Sequence, residues 1–234
     1  MSKSEYISAS RLEELQRIIK YRFKDPGLLV RAFMHTSYSN ERHLPASESN
    51  ERLEFLGDAV IALVTTRFLY EKYKDENEGF LTRVKSFAVS QPTLSGAAVR
   101  LNFSKYILLG KGEKASGGNQ RDSSLSNAFE ALTGGIYLDG GLESATAFVR
   151  MAFLDELVVD EREAKDYKSE LQEVIQKKFK KRPDYRVVSE TGPQHRKVFL
   201  VRAFHDGYVL GEGSGKSKKE AELSAAKDAL ERLE

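Results

Sequence analysis

Three acidic residues stand close together in the stretch Asn50-Glu51-Arg52-Leu53-Glu54-Phe55-Leu56-Gly57-Asp58-Ala59-Val60. On a helix turning about 100° per residue, Glu51, Glu54 and Asp58 fall at i, i+3 and i+7, on one face roughly 60° wide. Like charges at that spacing cost roughly a few tenths of a kcal/mol per pair, so something must compensate them. A hard divalent cation is the natural partner. The alternative is a solvated acidic face. Against it, Leu53, Phe55, Leu56 and Ala59 are interleaved with the acids and leave little of the helix for open solvent. A second segment, Asn127-Ala128-Phe129-Glu130-Ala131-Leu132, supplies another acid with a polar companion three residues earlier. Pairing the two helices would gather Glu54, Asp58, Asn127 and Glu130 around one point, an oxygen-only set suited to Mg2+, with Mn2+ as a plausible substitute.

A different chemistry is written near the C-terminus. Ser217-Lys218-Lys219-Glu220 fits a capping box, in which Ser217 bonds exposed amides and Glu220 reaches back. Lys216, Lys218 and Lys219 thereby gather at a helix N-terminus, where free N–H groups and the helix dipole already favour anions, as a grip for phosphate would require. Gly211 to Gly215 reads as a flexible approach to that helix. A nucleotide-binding P-loop would need glycine at position 210, which is Leu210, so no nucleotide cofactor is expected. The bland alternative for the lysines is a solubilising helix end. His35 and His43 are read as structural.

The elements that must position these groups fall into two sets. Residues 6–155 read as helix after helix, with apolar stripes at Leu53, Leu56, Val60 and Leu63 and at Leu125, Phe129, Leu132 and Ile136. Turn signals occur at Asp25-Pro26-Gly27, at Gln91-Pro92 and through Gly110 to Gly118. Residues 156–165 are charged and weakly patterned, and are read as a linker. Over residues 166–234 the pattern changes to α-β-β-β-α: a helix over Tyr167–Lys180, strands over Asp184–Glu190, Lys197–Phe204 and Tyr208–Gly213, and a helix over Ser217–Leu233. His205-Asp206-Gly207 marks the hairpin turn.

Bulk properties narrow the classes. The net charge of +2 conceals an asymmetry. Residues 1–165 carry 22 Lys and Arg against 23 Asp and Glu, a net of −1, whereas residues 166–234 carry 15 against 12, a net of +3. The absence of cysteine excludes disulfides, a thiol nucleophile and thiolate-ligated zinc. Met1 to Ser10 is polar, and the apolar run Ala59–Leu69 is broken by Thr65, Thr66 and Arg67. Neither a signal peptide nor a membrane span is expected, and the reading is a cytoplasmic protein.

Two segments carry a family resemblance. Asn50 to Val60 resembles the ribonuclease III signature, and Ala128 to Asp139, AFEALTGGIYLD, resembles that family's second acidic helix. The C-terminal module resembles a double-stranded RNA-binding domain through its element order, Gln172 and Gln176, the loop Gly192-Pro193-Gln194-His195 and the lysine-rich start of its second helix. The resemblance covers essentially the whole chain. It implies an N-terminal all-α ribonuclease III endonuclease domain followed by an α+β (α-β-β-β-α) double-stranded RNA-binding domain. Glu54, Asp58 and Glu130 would be metal ligands, with Asp58, Glu130 and Glu51 in the catalytic set and Glu51 near the scissile phosphate.

By the same resemblance Phe55 would pack into the partner of a homodimer, whereas taken alone it reads equally as ordinary core. Gln172 and Gln176 would meet 2′-hydroxyls, the loop around His195 would enter a second minor groove, and Lys216, Lys218 and Lys219 would hold phosphates, over about 16 base pairs. The implied reaction is phosphodiester hydrolysis in double-stranded RNA. It would give 5′-phosphate and 3′-hydroxyl ends, in the processing of ribosomal and other structured precursors. His35-Thr36-Ser37-Tyr38 resembles a packing element of the family.

One position departs from the pattern: the family commonly has aspartate where this chain has Asn127. An amide oxygen can ligate Mg2+ but brings no charge and accepts no proton. Two readings stay open, a supporting residue in an active enzyme or an impaired site. The rival from another class is an RNA-binding protein on a decayed nuclease fold. A small-molecule phosphohydrolase is disfavoured by the RNA-binding module.

Overall fold

The structure, a computed structural model, describes residues 7–157, 167–193 and 197–233. The chain divides into two compact units, Met1–Val159 and Asp160–Glu234. Among the described residues no helix is long and apolar enough to cross a membrane.

The first unit is helical: α1 (Ala9–Ile18), α2 (Pro26–Ala32), α3 (Thr36–Glu41), α4 (Glu51–Lys72), α5 (Glu78–Ala88), α6 (Gln91–Arg100), α7 (Lys111–Ala115) and α8 (Asp122–Val149). The proline-containing turn signals prove to be helix starts. Asp25 accepts a hydrogen bond from the Gly27 amide at 2.8 Å with Pro26 in the first turn of α2, and Pro92 stands in the first turn of α6, whose N-cap Ser90 makes no side-chain capping bond. The glycine-rich stretch holds α7 and is pinned to α3. The Gly110 amide donates to Ser37 Oγ at 3.0 Å and the Lys111 amide to Glu41 Oε2 at 2.6 Å. His35 caps α3, its Nδ1 accepting from the Ser37 amide at 3.2 Å, which is a structural role as expected.

Helix α8 is the centre of this unit. Leu125, Phe129, Leu132 and Ile136 are all buried, as their spacing predicts. The stripe on α4 is met only in part: Leu53 and Val60 are buried, but Leu63 is 55% exposed and the inward face runs instead through Gly57, Val60, Ile61 and Val64. Phe55 and Ala59 also face solvent, so the apolar residues between the acids do not shield this face within one chain. The hydrophobic pattern identified apolar positions correctly, but α8 covers only one side of α4.

Farther along α8, Asp139 accepts from the Tyr21 hydroxyl at 2.7 Å and from the Lys24 and Asp25 amides at 2.9 Å each. This ties the α1–α2 connection to α8 just before a kink at Gly141, whose φ of +79° suits glycine. A π-helical turn, Arg150–Leu154, follows α8.

The second unit contains α9 (Tyr167–Phe179), β1 (Asp184–Thr191), β2 (Val198–His205), β3 (Tyr208–Gly215) and α10 (Lys218–Leu233). The strands form an antiparallel sheet in the order β1-β2-β3. His205 pairs with Tyr208, which leaves Asp206 and Gly207, at φ +48° and +86°, as a two-residue turn of the kind that matches strand twist. Leu171, Ile175, Val201 and Ala203 pack with Ala221, Ala225, Ala226 and Ala229 into a separate core.

Gly211, Gly213 and Gly215 are not a flexible approach. They belong to β3, and Cβ atoms added there would lie 2.4, 2.2 and 2.5 Å from the backbone nitrogens of Ala229, Ala225 and Ala221. Glycine at every second strand position leaves one face of β3 bare, and the alanine stripe of α10 lies directly on it. The expected linker at 156–165 falls, beyond Leu157, outside the described residues, as does His195.

Candidate active site and nucleic-acid interface

The acidic groups are brought together by the crossing of α4 and α8. Glycine sits on both sides of that crossing. A Cβ on Gly57 would stand 1.8 Å from the Glu130 carbonyl oxygen, and one on Gly134 would stand 2.3 Å from the Leu53 carbonyl oxygen. Only α-carbons without a Cβ allow the two backbones so close. Glu54 and Asp58, three residues before and one after Gly57, thereby come within electrostatic reach of Glu130, four residues before Gly134, and the Asn127 side chain bonds to Glu54. The four residues expected to gather are near one another, and Gly57 and Gly134, which carry the crossing, had no expected role. A glycine in the middle of each helix, unfavourable by propensity, was the available signal.

The electrostatics follow from this crowding. Burial raises the Glu130 carboxyl, and the charges of Glu54 and Asp58 raise it further, to about 7. Glu54 is also raised, by burial and by Glu51 and Asp58, while the Asn127 amide beside it partly offsets the effect. Ser126 Oγ lies 3.4 Å from Asn127 Oδ1, which leaves the amide NH2 for the carboxylate side. Among the described residues no three His, Asp or Glu side chains close into a complete metal cage. The donor set is oxygen-only and partly buried, which fits a hard divalent cation and not a soft one.

Glu51 occupies the first turn of α4, exposed, with Ser49 Oγ donating to its Oε2 at 3.3 Å. It lines an open groove of about 590 Å3 with Arg31, Ser47, Arg52, Phe55 and Leu138. Glu54, Asp58 and Glu130 do not line that groove, so Glu51 borders the carboxylate cluster rather than joining it. Phe55 is 83% exposed in the single chain, which excludes ordinary core.

In the second unit the capping box forms with one change. The Glu220 amide donates to Ser217 Oγ at 3.1 Å, and Glu220 Oε2 accepts from the Lys216 amide at 2.8 Å, one residue earlier than the usual partner. Lys216, Lys218 and Lys219 are exposed around this helix start. Lys218 lies 3.9 Å from Glu190, which also pairs with Lys197 at 3.0 Å. On α9, Gln172 is half-buried and Gln176 exposed, one turn apart.

Comparison with known proteins agrees with both units. The Ribonuclease-III-like family model matches residues 25–157, and the Double-stranded RNA binding motif matches residues 167–233. The chain is 45% identical over 226 residues to Ribonuclease 3 of Syntrophobacter fumaroxidans, covering 94% of this chain and 93% of that protein. It is 41% identical over 222 residues to Ribonuclease 3 of Listeria welshimeri, covering 94% and 97%. The nuclease domain of ribonuclease III from Campylobacter jejuni superposes with a TM-score of 0.57 at 36% identity, over 63% of this chain and 97% of that one. A second structure of that nuclease domain, described for flexibility in a region involved in dimer formation, gives 0.56 at 35% identity, over 61% and 99%. With its helical nuclease unit and its α-β-β-β-α module both matched, this chain belongs to the ribonuclease III family of double-stranded-RNA endoribonucleases.

Proposed function

We propose that this chain is a Mg2+-dependent endoribonuclease, with Mn2+ as a substitute, that works as a cytoplasmic homodimer on double-stranded RNA. It leaves 5′-phosphate and 3′-hydroxyl ends, in the processing of ribosomal and other structured precursors. Its nuclease domain spans residues 6–155 and its RNA-binding domain residues 166–234, joined by a linker at 156–165. The observation that carries the reading is the convergence of Glu54, Asp58 and Glu130 at a glycine-to-glycine helix crossing, with Glu130 pushed up to about 7 by burial and by the other two carboxylates.

Glu54, Asp58 and Glu130 would hold the cation, with Asn127 as a neutral fourth donor once its amide turns over to bring the oxygen to their side. Bound there, a divalent cation supplies Lewis acidity toward a phosphoryl oxygen and a lowered pKa for water. The remaining work belongs to the chain. Glu130 keeps a proton near neutrality until positive charge displaces it, and Asp58, exposed on the same face, remains open to the substrate side. Glu51 lines the groove next to the cluster, where the scissile phosphate would lie. Gln172 and Gln176 meet 2′-hydroxyls of the minor groove, the loop containing His195 enters the next one, and Lys216, Lys218 and Lys219 hold the phosphates between. Phe55 packs into the partner subunit.

Asn127 favours one rival, an RNA-binding protein that does not cut, because an amide cannot act as a base. Cleavage of a long duplex with Mg2+ separates the two readings when the chain is compared with Asn127→Asp and Glu130→Gln. Equal cutting by the chain and Asn127→Asp, with Glu130→Gln inactive, is the expected result. Binding without cutting, repaired by Asn127→Asp, overturns the proposal.

A further inference from the structure

The second unit holds another concentration of positive charge, away from the α10 N-terminus. Lys177, Lys178, Lys180, Lys181 and Arg182 occupy five of six consecutive positions at the end of α9, and all are exposed. Lys181 is neutralised by Asp206 at 2.7 Å. Lys177, Lys178, Lys180 and Arg182 pair with no carboxylate among the described residues. A helix C-terminus is stabilised by one or two cations, each worth roughly 0.3–1 kcal/mol and only within the last turn. Four unneutralised cations exceed that need, and they repel one another.

Their placement is set by the fold. β1 begins at Asp184 opposite Phe204, beside the Asp206–Gly207 turn, so the basic run lies at the hairpin end of the sheet. Lys216, Lys218 and Lys219 lie at the other end, where Gly215 pairs with Phe199. Strands of eight residues separate the two ends by roughly 25 Å. The basic run also follows directly on Gln176 at the end of α9. The Lys180 amide donates to the Gln176 carbonyl at 3.0 Å and closes the last turn, and Lys180 itself, at φ +59°, takes the left-handed conformation that ends α9. Phe179 stacks on His205 with ring centroids 4.5 Å apart, which fixes this helix end against β2.

We propose that Lys177, Lys178, Lys180 and Arg182 form a second phosphate-binding surface, which holds the sugar–phosphate backbone of the RNA duplex beyond the minor groove met by Gln172 and Gln176. The inference rests on the assignment of those glutamines to the minor groove. In A-form RNA a phosphate row borders that groove on each side, and cations gathered at the end of α9, close to Gln176, are placed to meet one of those rows. Each phosphate neutralised releases condensed counterions, so the surface adds affinity and steepens the dependence on salt.

The test is binding of the full chain to an RNA duplex of about 30 base pairs, with chelator present so that no cutting occurs, across a salt titration. The combined variant Lys177→Gln, Lys178→Gln, Lys180→Gln, Arg182→Gln should bind at least about tenfold more weakly. Its log–log salt slope should be shallower by about 2 to 4. A charge-keeping variant, Lys177→Arg, Lys178→Arg, Lys180→Arg, Arg182→Lys, should bind like the unmodified chain. If it loses binding as well, the effect is not one of charge and the inference falls. The pair Lys218→Gln, Lys219→Gln distinguishes the underlying reading. Should that pair weaken binding while the combined glutamine variant leaves affinity and slope unchanged, the second surface is overturned and the RNA-binding module stands. Should neither weaken binding, the module's RNA-binding face is wrong and this inference goes with it.

Discussion

Gly57 and Gly134 face each other across the α4–α8 crossing, so closely that a Cβ on either would lie 3.0 Å from the backbone nitrogen of the other. A Cβ at 57 would also stand 1.8 Å from the Glu130 carbonyl oxygen, a backbone atom that cannot move aside without moving α8. Gly57→Ala must therefore spread the helices that carry Glu54, Asp58, Asn127 and Glu130. The expected cost is about 3 kcal/mol or more in stability, above what helix propensity alone would return. Thermal unfolding should show the loss, and duplex cleavage should fall by about a hundredfold even below the melting temperature, since misplacement by about 1 Å has that effect. Unchanged stability would mean that the helices do not meet at these glycines.

The carboxylate cluster sets a pH dependence with a defined sign. Glu130 titrates near 7 in the folded chain against an ordinary 4.5, so between those values the folded state holds a proton that the unfolded state has released. Stability without a divalent cation therefore falls as pH rises from about 4.5 to 7, by up to roughly 3 kcal/mol. Glu130→Gln should be more stable than the unmodified chain at pH 8 in chelator and should show a flatter profile, with a residual slope from Glu54. Adding Mg2+ at pH 8 should raise the melting temperature of the unmodified chain and leave that of Glu130→Gln nearly unchanged. A profile for Glu130→Gln identical to that of the unmodified chain would remove Glu130 from the cluster.

Asp139 shows the opposite sign. Burial raises its carboxyl, but hydrogen bonds from the Lys24 and Asp25 amides and from Tyr21 more than reverse this, so it titrates below its ordinary value. Its contribution is present above the ordinary aspartate range and is lost as pH falls through the folded value. Asp139→Asn should cost about 1–3 kcal/mol at neutral pH, because an amide cannot accept all three hydrogen bonds as a carboxylate does. Tyr21→Phe should cost about 1 kcal/mol, removing one of them. Denaturant unfolding at pH 7 and at pH 3 checks both the size and the convergence of the variants in acid.

Much of this was legible in the sequence where the signal was periodic or local. Leu125, Phe129, Leu132 and Ile136 announce a buried helix by spacing alone, and Asp206-Gly207 announces a hairpin by conformational demand. Glu54, Asp58 and Glu130 could be grouped because each sits on a helix whose facing is set by its period. What stayed hidden depends on tertiary approach. Gly57, Gly134 and the β3 glycines look like weaknesses until the opposing backbone is known, and Asp139 meets Tyr21 across more than a hundred intervening residues. Leu63 failed for a related reason, since an apolar period marks a face but not what covers it.

Phe55 tests what covers that face. It is 83% exposed, with Leu63 at 55% and Ala59 also exposed on the same side of α4, an apolar stripe that a lone chain would hold against water. If Phe55 packs into a partner subunit, Phe55→Glu places an unpaired charge in that interface without disturbing the chain's own core. Light scattering should then report a monomer for the variant and a dimer for the unmodified chain. Unfolding of the monomeric variant should lose its dependence on protein concentration, because stability no longer includes association. Cleavage should fall with the dimer, while binding of a duplex by the second unit should persist. A variant that stays dimeric, or an unmodified chain that is monomeric at the concentrations at which it cuts, would show that Phe55 serves another surface.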